Sequence, residues 1–460
     1  MIFDEGWVII KGRGISLVTP EGLALFRHRK QVCGMRFVQT VFVAICRFII
    51  AGIFWFSLRL SNSLTFHGAE QDTGEPRTYL AMTHKRDIDP LILVPALLFR
   101  RGWRGLAGDV RFALRGDGFT RGFLARILRR PNRLAWLLRS LSIGSILRWL
   151  GAYPTEGLLR PAEEWIREIM RVDGNVQAET ILSPAFIQTF ACQTRLSVEA
   201  VRAWPLERLL RWSNYTALQK LYGPEMLLST KRRHIEKRVV ARIHAQLDEI
   251  VASFWQGAAL LGSPEGKLSP DGRISPLHAG FQRIVRAAPP DLQIVPIALS
   301  YDFMTSKRRH VFVDFGPVLE YAPKFSQAEL AVRVRRSWLL HAHFTCTQLA
   351  SGFLVERHAA SCLEFSLSDL VHAVHQQAQA QASAGRAVDP RLLRVASATK
   401  RARGYLAYVE RRGLIQPCAP ARWRIAFAEL TINSGPYEVA YNDVPLLYAY
   451  NELQDLLSVS

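Results

Sequence analysis

A histidine and an aspartate five positions apart form the segment of this sequence best suited to catalysis. His84 follows a short apolar run, Tyr79–Met82, which predicts a buried strand that ends just before the imidazole. Asp89 stands directly before Pro90, which predicts a helix with Asp89 as N-cap and Pro90 as its first residue. A strand end and a helix start would hold the imidazole and the carboxylate close together. That is the arrangement of a general base with an orienting acid.

This spacing is weak as a signal on its own, because short motifs have a high false-positive rate. The sequence contains a second pair with the same spacing, His67 and Asp72, which lies among glycines and a proline with no apolar helix behind it. We interpret that second pair as a coincidence. For His84 the alternative to catalysis is a buried histidine satisfied by Asp87 or Asp89, and the spacing alone favours this alternative. A block far downstream reverses the preference.

The downstream block runs from Gly262 to Gly280 and contains Pro264-Glu265-Gly266-Lys267 after an apolar strand candidate. It resembles the phosphate- and glycerol-binding loop of the glycerolipid acyltransferases, the superfamily of lysophosphatidate and glycerol-3-phosphate acyltransferases. In this resemblance, His84 to Asp89 is the catalytic motif of the family. Two later apolar segments look like further strands of that family, Ile294–Ala298 and Val311–Pro317. The resemblance covers residues 64 to 320.

The resemblance implies an enzyme of phospholipid biosynthesis and lipid metabolism. The expected reaction moves a fatty acyl group from a thioester, acyl-CoA or acyl-ACP, to the hydroxyl of a glycerol phosphate or a lysophospholipid. An imidazole, with an ordinary pKa near 6.5, suits removal of the hydroxyl proton, so His84 would be the base and Asp89 would hold its ring. The thioester is a co-substrate, and the mechanism requires neither a cofactor, a metal nor a covalent acyl-enzyme. An acyl carrier protein is the expected protein partner if it supplies the donor.

The same resemblance implies a set of substrate-binding residues: Glu265, Gly266, Lys267, Arg273 and Arg160. The family usually has an arginine for the acceptor phosphate where this sequence has Leu268, and Lys267 and Arg273 are the replacements for its charge. In the family's second motif, which resembles Gly151–Thr155, the nearest arginine is Arg160. These departures do not change the expected reaction, but they leave the identity of the acceptor undetermined.

The overall charge is strongly positive, with 59 Lys and Arg against 39 Asp and Glu, a formal net charge of +20. Such a charge favours anionic membranes and phosphate-bearing substrates, whereas a nucleic acid partner is not expected because no recognition motif accompanies it. The six cysteines are scattered and indicate reduced cytosolic thiols. The alternative function is a non-catalytic membrane- or nucleic-acid-binding protein on a degenerate acyltransferase core.

Two segments indicate contact with a membrane. Phe37–Leu58 is apolar and about as long as a bilayer core requires, and Arg47 interrupts it near the middle. We therefore expect an embedded or interfacial, hairpin-like helix on the cytoplasmic face, with a buried soluble helix as the alternative. The segment Arg100–Arg148 mixes arginines with Trp and Phe, which suits anionic headgroups, and the alternative is a set of ordinary solvated arginines on helix faces.

The sequence predicts an α/β fold, with a mixed sheet flanked by helices. The expected regions are a membrane-associated segment (1–62), an acyltransferase domain (63–345) with a helical insertion (161–255), and a C-terminal region (346–460). Within the insertion three helices are predicted: Ser197–Trp204, Leu206–Leu221 and Lys231–Trp255. In the C-terminal region a basic helix, Arg391–Arg411, precedes short strands near 413–415, 422–427 and 437–441, a small α+β arrangement with a winged-helix-like outline.

Overall fold

A mixed sheet forms the centre of the fold. The computed structural model describes residues 2–459 except 4–5, 12–13, 19, 87, 116–118, 120–143, 156, 159, 219, 267, 321–324 and 428–443. The strands in these residues are β1 (Ile2–Phe3), β2 (Gly6–Lys11), β3 (Gly14–Val18), β4 (Asn62–His67), β5 (Thr78–Met82), β6 (Val110–Arg115), β7 (Ala152–Thr155), β8 (Arg160–Pro161), β9 (Leu221–Tyr222), β10 (Ala259–Gly262), β11 (Gln293–Asp302), β12 (Arg309–Phe315), β13 (Leu319–Glu320), β14 (Glu364–Ser366), β15 (Ile415–Ala419) and β16 (Arg422–Ile425).

Helices surround this sheet. The α-helices in the described residues are Pro20–Ser61, Asp89–Arg100, Gly102–Arg104, Gly144–Trp149, Ala162–Asp173, Pro184–Thr194, Val198–Arg202, Leu206–Leu209, Tyr215–Leu218, Ser229–Trp255, Ala279–Ala287, Gln327–His341, Cys346–Ala359, Leu367–Ser383, Val395–Arg411 and Pro445–Leu457. Single turns of 3₁₀-helix lie at Ala69–Gln71, Ala178–Thr180, Trp212–Asn214, Pro224–Met226 and Pro390–Leu393, and one π-helical turn at Gly105–Asp109.

The central sheet has the strand order β4-β12-β11-β5-β10-β6-β7, and β13 pairs with β11. Strands β11, β5, β10, β6 and β7 are parallel to one another, whereas β12 is antiparallel to β11 and parallel to β4. All residues of β5 and β10 are buried, as expected for parallel strands that are covered on both faces. The mixed sheet flanked by helices that the sequence predicts is confirmed.

The N-terminal helix Pro20–Ser61 is one continuous helix, so the hairpin-like form expected from the sequence is wrong. Its segment Thr40–Ser61 is long and apolar enough to associate with a membrane. One side of this segment packs on the α/β domain, where Arg47 is buried and donates to Gly105 O (Nη1···O 3.1 Å). The other side is apolar, and eight of its large side chains are 43–68% exposed: Phe42, Ile45, Phe48, Ile49, Ile53, Phe54, Phe56 and Leu60. The arginine therefore faces protein and does not interrupt the outer apolar surface.

The insertion between β7 and β10 has its own hydrophobic cluster. Trp165, Phe186 and Val239 belong to this cluster, which is separate from the cluster around the central sheet. The single helix predicted over Leu206–Leu221 is wrong, because the chain forms two short helices and a 3₁₀ turn there. The Asn214 side chain donates to Leu209 O (3.0 Å), which supplies a local alternative to the helical hydrogen bonds.

The C-terminal region combines helices with a small antiparallel sheet of order β14-β16-β15. Its basic helix Val395–Arg411 leads directly into the hairpin β15–β16. The described residues therefore contain a basic helix followed by short strands, as the sequence predicts. The strand predicted near residues 437–441 lies outside the described residues. The last helix, Pro445–Leu457, is not predicted from the sequence, and nine of its thirteen residues are buried.

Candidate active site

The candidate site lies where β5 and β10 end, on one edge of the central sheet. His84 comes two residues after β5, and Glu265 comes three residues after β10. These two strands are parallel neighbours, with Leu261 opposite Leu80. Their carboxyl ends therefore meet at the same edge, which is where α/β sheets commonly bind ligands.

The His84 imidazole contacts the Asp89 carboxylate. Nδ1 of His84 lies 3.3 Å from Oδ2 of Asp89, and the side chain of Asp89 is fully buried, whereas that of His84 is 22% exposed. A carboxylate at Nδ1 favours the tautomer with the proton on Nδ1, which leaves the lone pair on Nε2. Nε2 has no hydrogen-bond partner among the described residues. It is the nitrogen that a substrate hydroxyl could reach.

Asp89 accepts hydrogen bonds from the turn that carries His84. Oδ2 accepts the backbone N–H groups of Lys85 (2.6 Å) and Arg86 (2.8 Å). The helix begins at Asp89 itself with Ile88 as N-cap, so the expectation that Asp89 is the N-cap is wrong. The reason is that the carboxylate points back into the preceding turn. It therefore fixes the backbone conformation of this turn as well as the imidazole.

The second oxygen of Asp89 has a partner from another strand. Tyr301, near the end of β11, donates its hydroxyl to Oδ1 of Asp89. Burial raises the pKa of Tyr301 well above its ordinary value of 10.0, and the neighbouring Asp89 adds to the increase, so the phenol stays protonated and acts as a donor. Tyr301 is not predicted from the sequence, because it lies 212 positions from Asp89 with no motif around it.

Glu265 joins the loop after β10 to the backbone of His84. Its Oε1 accepts the N–H of His84 (2.9 Å), and its Oε2 accepts the N–H of Ser275 (2.8 Å). The side chain is buried, and burial raises the pKa of Glu265 while nearby Lys85 opposes the increase. The predicted contact of Glu265 with an acceptor stays a prediction. Its described bonds give it a role in positioning His84.

Gly266 occupies a backbone position that favours glycine. Its φ is +68°, and a Cβ there would lie 3.1 Å from both Cβ and Cγ of His278. Its N–H donates to Ser263 O (3.1 Å) within the turn, so this N–H is already used inside the protein. Lys267, predicted to contact the acceptor phosphate, lies outside the described residues.

The two arginines predicted to bind substrate lie in different surroundings. Arg273 belongs to the loop that Glu265 begins, and its side chain is exposed, while its carbonyl accepts the hydroxyl of Ser269 (2.7 Å). Arg160 is buried, and its guanidinium lies 5.2 Å from the ring centroid of Trp165, in the cluster of the insertion. The described contacts join His84, Asp89 and Glu265 directly and do not join Arg160 to them.

The second histidine–aspartate pair of the sequence does not form. Nδ1 of His67 lies 3.0 Å from Oδ1 of Asp314 on the neighbouring strand, whereas Asp72 binds Arg101. His343 contacts the other oxygen of Asp314 (2.9 Å). The interpretation of the His67–Asp72 spacing as a coincidence is therefore confirmed.

Known proteins offer few matches to this chain. The sequence matches no family model and no curated protein. Among solved structures, a match is the crystal structure of the 1-acyl-sn-glycerophosphate (LPA) acyltransferase, PlsC, from Thermotoga maritima, with a TM-score of 0.29 and 13% sequence identity. The match covers 67% of this chain and 94% of that one. At this TM-score the likeness does not bear on the function, which has to be inferred from the site.

Proposed function

We propose that this chain is an acyltransferase that moves a fatty acyl group from acyl-CoA or acyl-ACP to the hydroxyl of a glycerol phosphate or lysophospholipid. The observation that carries the proposal is the buried Asp89 carboxylate, which holds Nδ1 of His84 at 3.3 Å while the strand end and Glu265 hold the His84 backbone. This dyad lies at the carboxyl ends of β5 and β10, where α/β sheets commonly bind ligands. The order of the sequence blocks around it is that of the glycerolipid acyltransferases.

The reaction follows from the orientation of the imidazole. Nε2 of His84 accepts the proton of the acceptor hydroxyl as its oxygen attacks the thioester carbonyl. The tetrahedral intermediate then releases the thiolate, which takes the proton back from Nε2. Asp89 stabilises the imidazolium between these steps. General base catalysis contributes about 10²- to 10⁴-fold, so positioning of both substrates must supply the remainder.

The alternative of a non-catalytic binding protein on a degenerate core receives less support. A degenerate site would have no reason to keep the bonds that orient the imidazole. In this chain Asp89 accepts two backbone N–H groups, the Tyr301 hydroxyl and a contact from His84. Together these bonds hold the carboxylate against the imidazole and against the turn that carries it.

We propose that the loop after β10 binds the acceptor phosphate, through exposed Arg273 together with Lys267. Binding that is shared by the ground state and the transition state changes KM and leaves kcat unchanged. Arg273→Ala should therefore raise the KM of a phosphate-bearing acceptor with little change in kcat. The matched control is Arg283→Ala, because Arg283 is also exposed but binds Asp248. An equal rise in KM for both variants would remove Arg273 from the acceptor site.

We also propose that the protein binds the cytoplasmic face of an anionic membrane through the outer side of the helical segment Thr40–Ser61. Large apolar side chains contribute about 1.5–3 kcal/mol each when fully removed from water. Phe48→Ser with Ile53→Ser should therefore lower partitioning onto anionic vesicles at least about tenfold. The control is Val332→Ser, since Val332 is 64% exposed on a different helix. Flotation unchanged by the double substitution would contradict this orientation.

The experiment for the function itself is acyl transfer by the purified protein. Labelled acyl-CoA and a panel of acceptors (glycerol 3-phosphate, lysophosphatidate and other lysophospholipids) should give labelled product with the natural sequence. His84→Ala should lower the rate of product formation at least about 10²-fold while keeping the fold, because the substitution removes a base at a strand end and little buried volume. An undiminished rate of product formation in folded His84→Ala would refute the proposal.

A further inference from the structure

The C-terminal helix Pro445–Leu457 packs directly against the candidate active site. Its apolar side is buried in the main core through Leu446, Leu453 and Leu456. Its polar side also carries buried groups, among them Glu452 and Asp455. Apolar contacts account for the docking of the helix, but they do not explain why two carboxylates are buried with it.

Asp455 binds the loop that contains Glu265. Its Oδ2 accepts the N–H of Ile274 (2.6 Å), and its Oδ1 accepts from Arg335 (3.1 Å). Ile274 is the neighbour of Ser275, whose N–H donates to Glu265. Asp455 therefore holds the loop one residue from the bond that orients Glu265 toward His84.

Glu452 reaches the other side of the same site. Its Oε1 lies 3.6 Å from Nζ of Lys85, the residue that follows His84, and its Oε2 accepts from Gln348 (3.4 Å). Lys85 in turn donates to Gly272 O (2.5 Å). Burial raises the pKa of Glu452, and Lys85 opposes that increase. Glu452 and Lys85 thus link the helix, the catalytic turn and the loop.

Two further bonds fix the same contact. The Tyr448 hydroxyl donates to Lys85 O (3.2 Å), and Asn451 donates to Asp271 O (3.0 Å). A Cβ on Gly272 would lie only 2.2 Å from the main-chain carbonyl oxygen of Tyr448, and Gly272 has a φ of +97°. The loop and the helix therefore approach each other as closely as glycine allows.

Buried ion pairs add little net stability, because desolvation of the charges offsets their attraction. The carboxylates of this helix are aimed at a catalytic turn and its supporting loop. We propose that Glu452 and Asp455 are positioning residues of the active site, which hold His84 through Lys85 and through the Ile274–Ser275–Glu265 connection. This inference rests on the proposed function for its kinetic consequences and on the structure alone for the anchoring.

The test uses the full chain and two readouts. The variants are Asp455→Ala, Asp455→Asn and Glu452→Gln, with Gln454→Ala as the control on the same helix and Leu453→Ala as the control for a loss of packing. Hydrogen exchange of peptides covering residues 83–86 and 269–276 measures the anchoring without a substrate. Steady-state kinetics measures kcat and KM for acyl transfer.

We expect Asp455→Ala to speed exchange in these two segments while the central strands stay protected. We expect its kcat to fall at least about tenfold with KM changed less than about twofold, because misplacement by about 1 Å costs up to about 10²-fold. Glu452→Gln should also lower kcat, since it removes the charge that faces Lys85. Asp455→Asn keeps an acceptor oxygen for Ile274 and should recover part of the rate. Gln454→Ala should match the natural sequence.

Leu453→Ala separates positioning from stability, since it should lower the unfolding temperature and leave kcat near its natural value in the folded protein. If Asp455→Ala leaves both exchange and kcat unchanged, or behaves like Leu453→Ala, the inference is overturned. If the natural sequence shows no acyl transfer, the proposed function fails, and hydrogen exchange alone decides the anchoring. Faster exchange in the two segments then supports it, and unchanged exchange overturns it.

Discussion

Replacement of Asp89 by Asn removes one charge at the centre of the site and keeps the shape of the side chain. At an effective dielectric constant of about 20, opposite unit charges 3.3 Å apart attract each other by about 5 kcal/mol. This attraction acts on the imidazolium that forms during proton transfer. Since each 1.36 kcal/mol corresponds to a tenfold change in rate, Asp89→Asn should lower kcat by about 10³- to 10⁴-fold.

The fold should survive this substitution in part. The Asn oxygen can still accept the N–H groups of Lys85 and Arg86, and the amide nitrogen then faces the Tyr301 hydroxyl. Hydrogen bonds to a charged group contribute about 1.5–3 kcal/mol against about 0.5–1.5 for neutral pairs, so some stability is lost. Circular dichroism and the unfolding temperature establish the folded fraction, and kcat is then measured per folded molecule.

A double substitution tests whether Asp89 affects the rate through His84. Asp89 acts through His84, so Asp89→Asn on a His84→Ala background should lower the remaining rate by less than about threefold. A single-variant loss smaller than tenfold in folded protein would refute the proposed role of the carboxylate. A full additional loss in the double variant would show that Asp89 acts independently of the imidazole.

Three further predictions concern neighbouring groups. Glu265→Gln replaces one acceptor oxygen by a donor that faces a backbone N–H, so it should lower the free energy of unfolding by about 1–3 kcal/mol and reduce kcat, as measured by urea denaturation and kinetics. His67→Ala should change kcat less than about threefold by the same assay, because His67 binds Asp314 and lies three strands from β5; a loss as large as that of His84→Ala would contradict the site. Burial lowers the pKa of His310 from 6.5 to about 4. The unfolded chain binds the proton first, so native stability should fall as the pH drops from 6.5 to 4, by at most about 3 kcal/mol, and His310→Gln should flatten this part of the urea-midpoint profile. If the pH profile of the urea midpoint is the same in His310→Gln, groups other than His310 cause the loss of stability.

The local part of the site could be predicted from the sequence. An apolar strand, a turn and an Asp-Pro helix start lie next to one another in the chain, so short-range rules place His84 beside Asp89. The sequence predicts Glu265 through the block that contains it, although only the structure shows that its carboxylate binds the His84 backbone. The helix begins one residue earlier than the sequence predicts, because the Asp89 side chain binds the preceding turn.

The remaining contacts depend on residues that are distant in sequence. The hydroxyls of Tyr301 and Tyr448 reach Asp89 and the Lys85 carbonyl, respectively, from 212 and 363 positions away. No periodicity or spacing rule connects such positions, since their proximity is set by the packing of whole elements. For the same reason the sequence shows Arg47 as an interruption of an apolar helix, whereas the fold turns it toward Gly105.

The most direct test of the central claim is the acyl transfer assay with matched proteins. Purified protein of the natural sequence and its His84→Ala variant are incubated with labelled acyl-CoA and the acceptor panel, and labelled lipid is measured after extraction. The natural sequence should form product with at least one acceptor, and folded His84→Ala should form it at least about 10²-fold more slowly. Equal product from the two proteins, or no product from the natural sequence with any donor and acceptor, would contradict the assignment of His84 as the base.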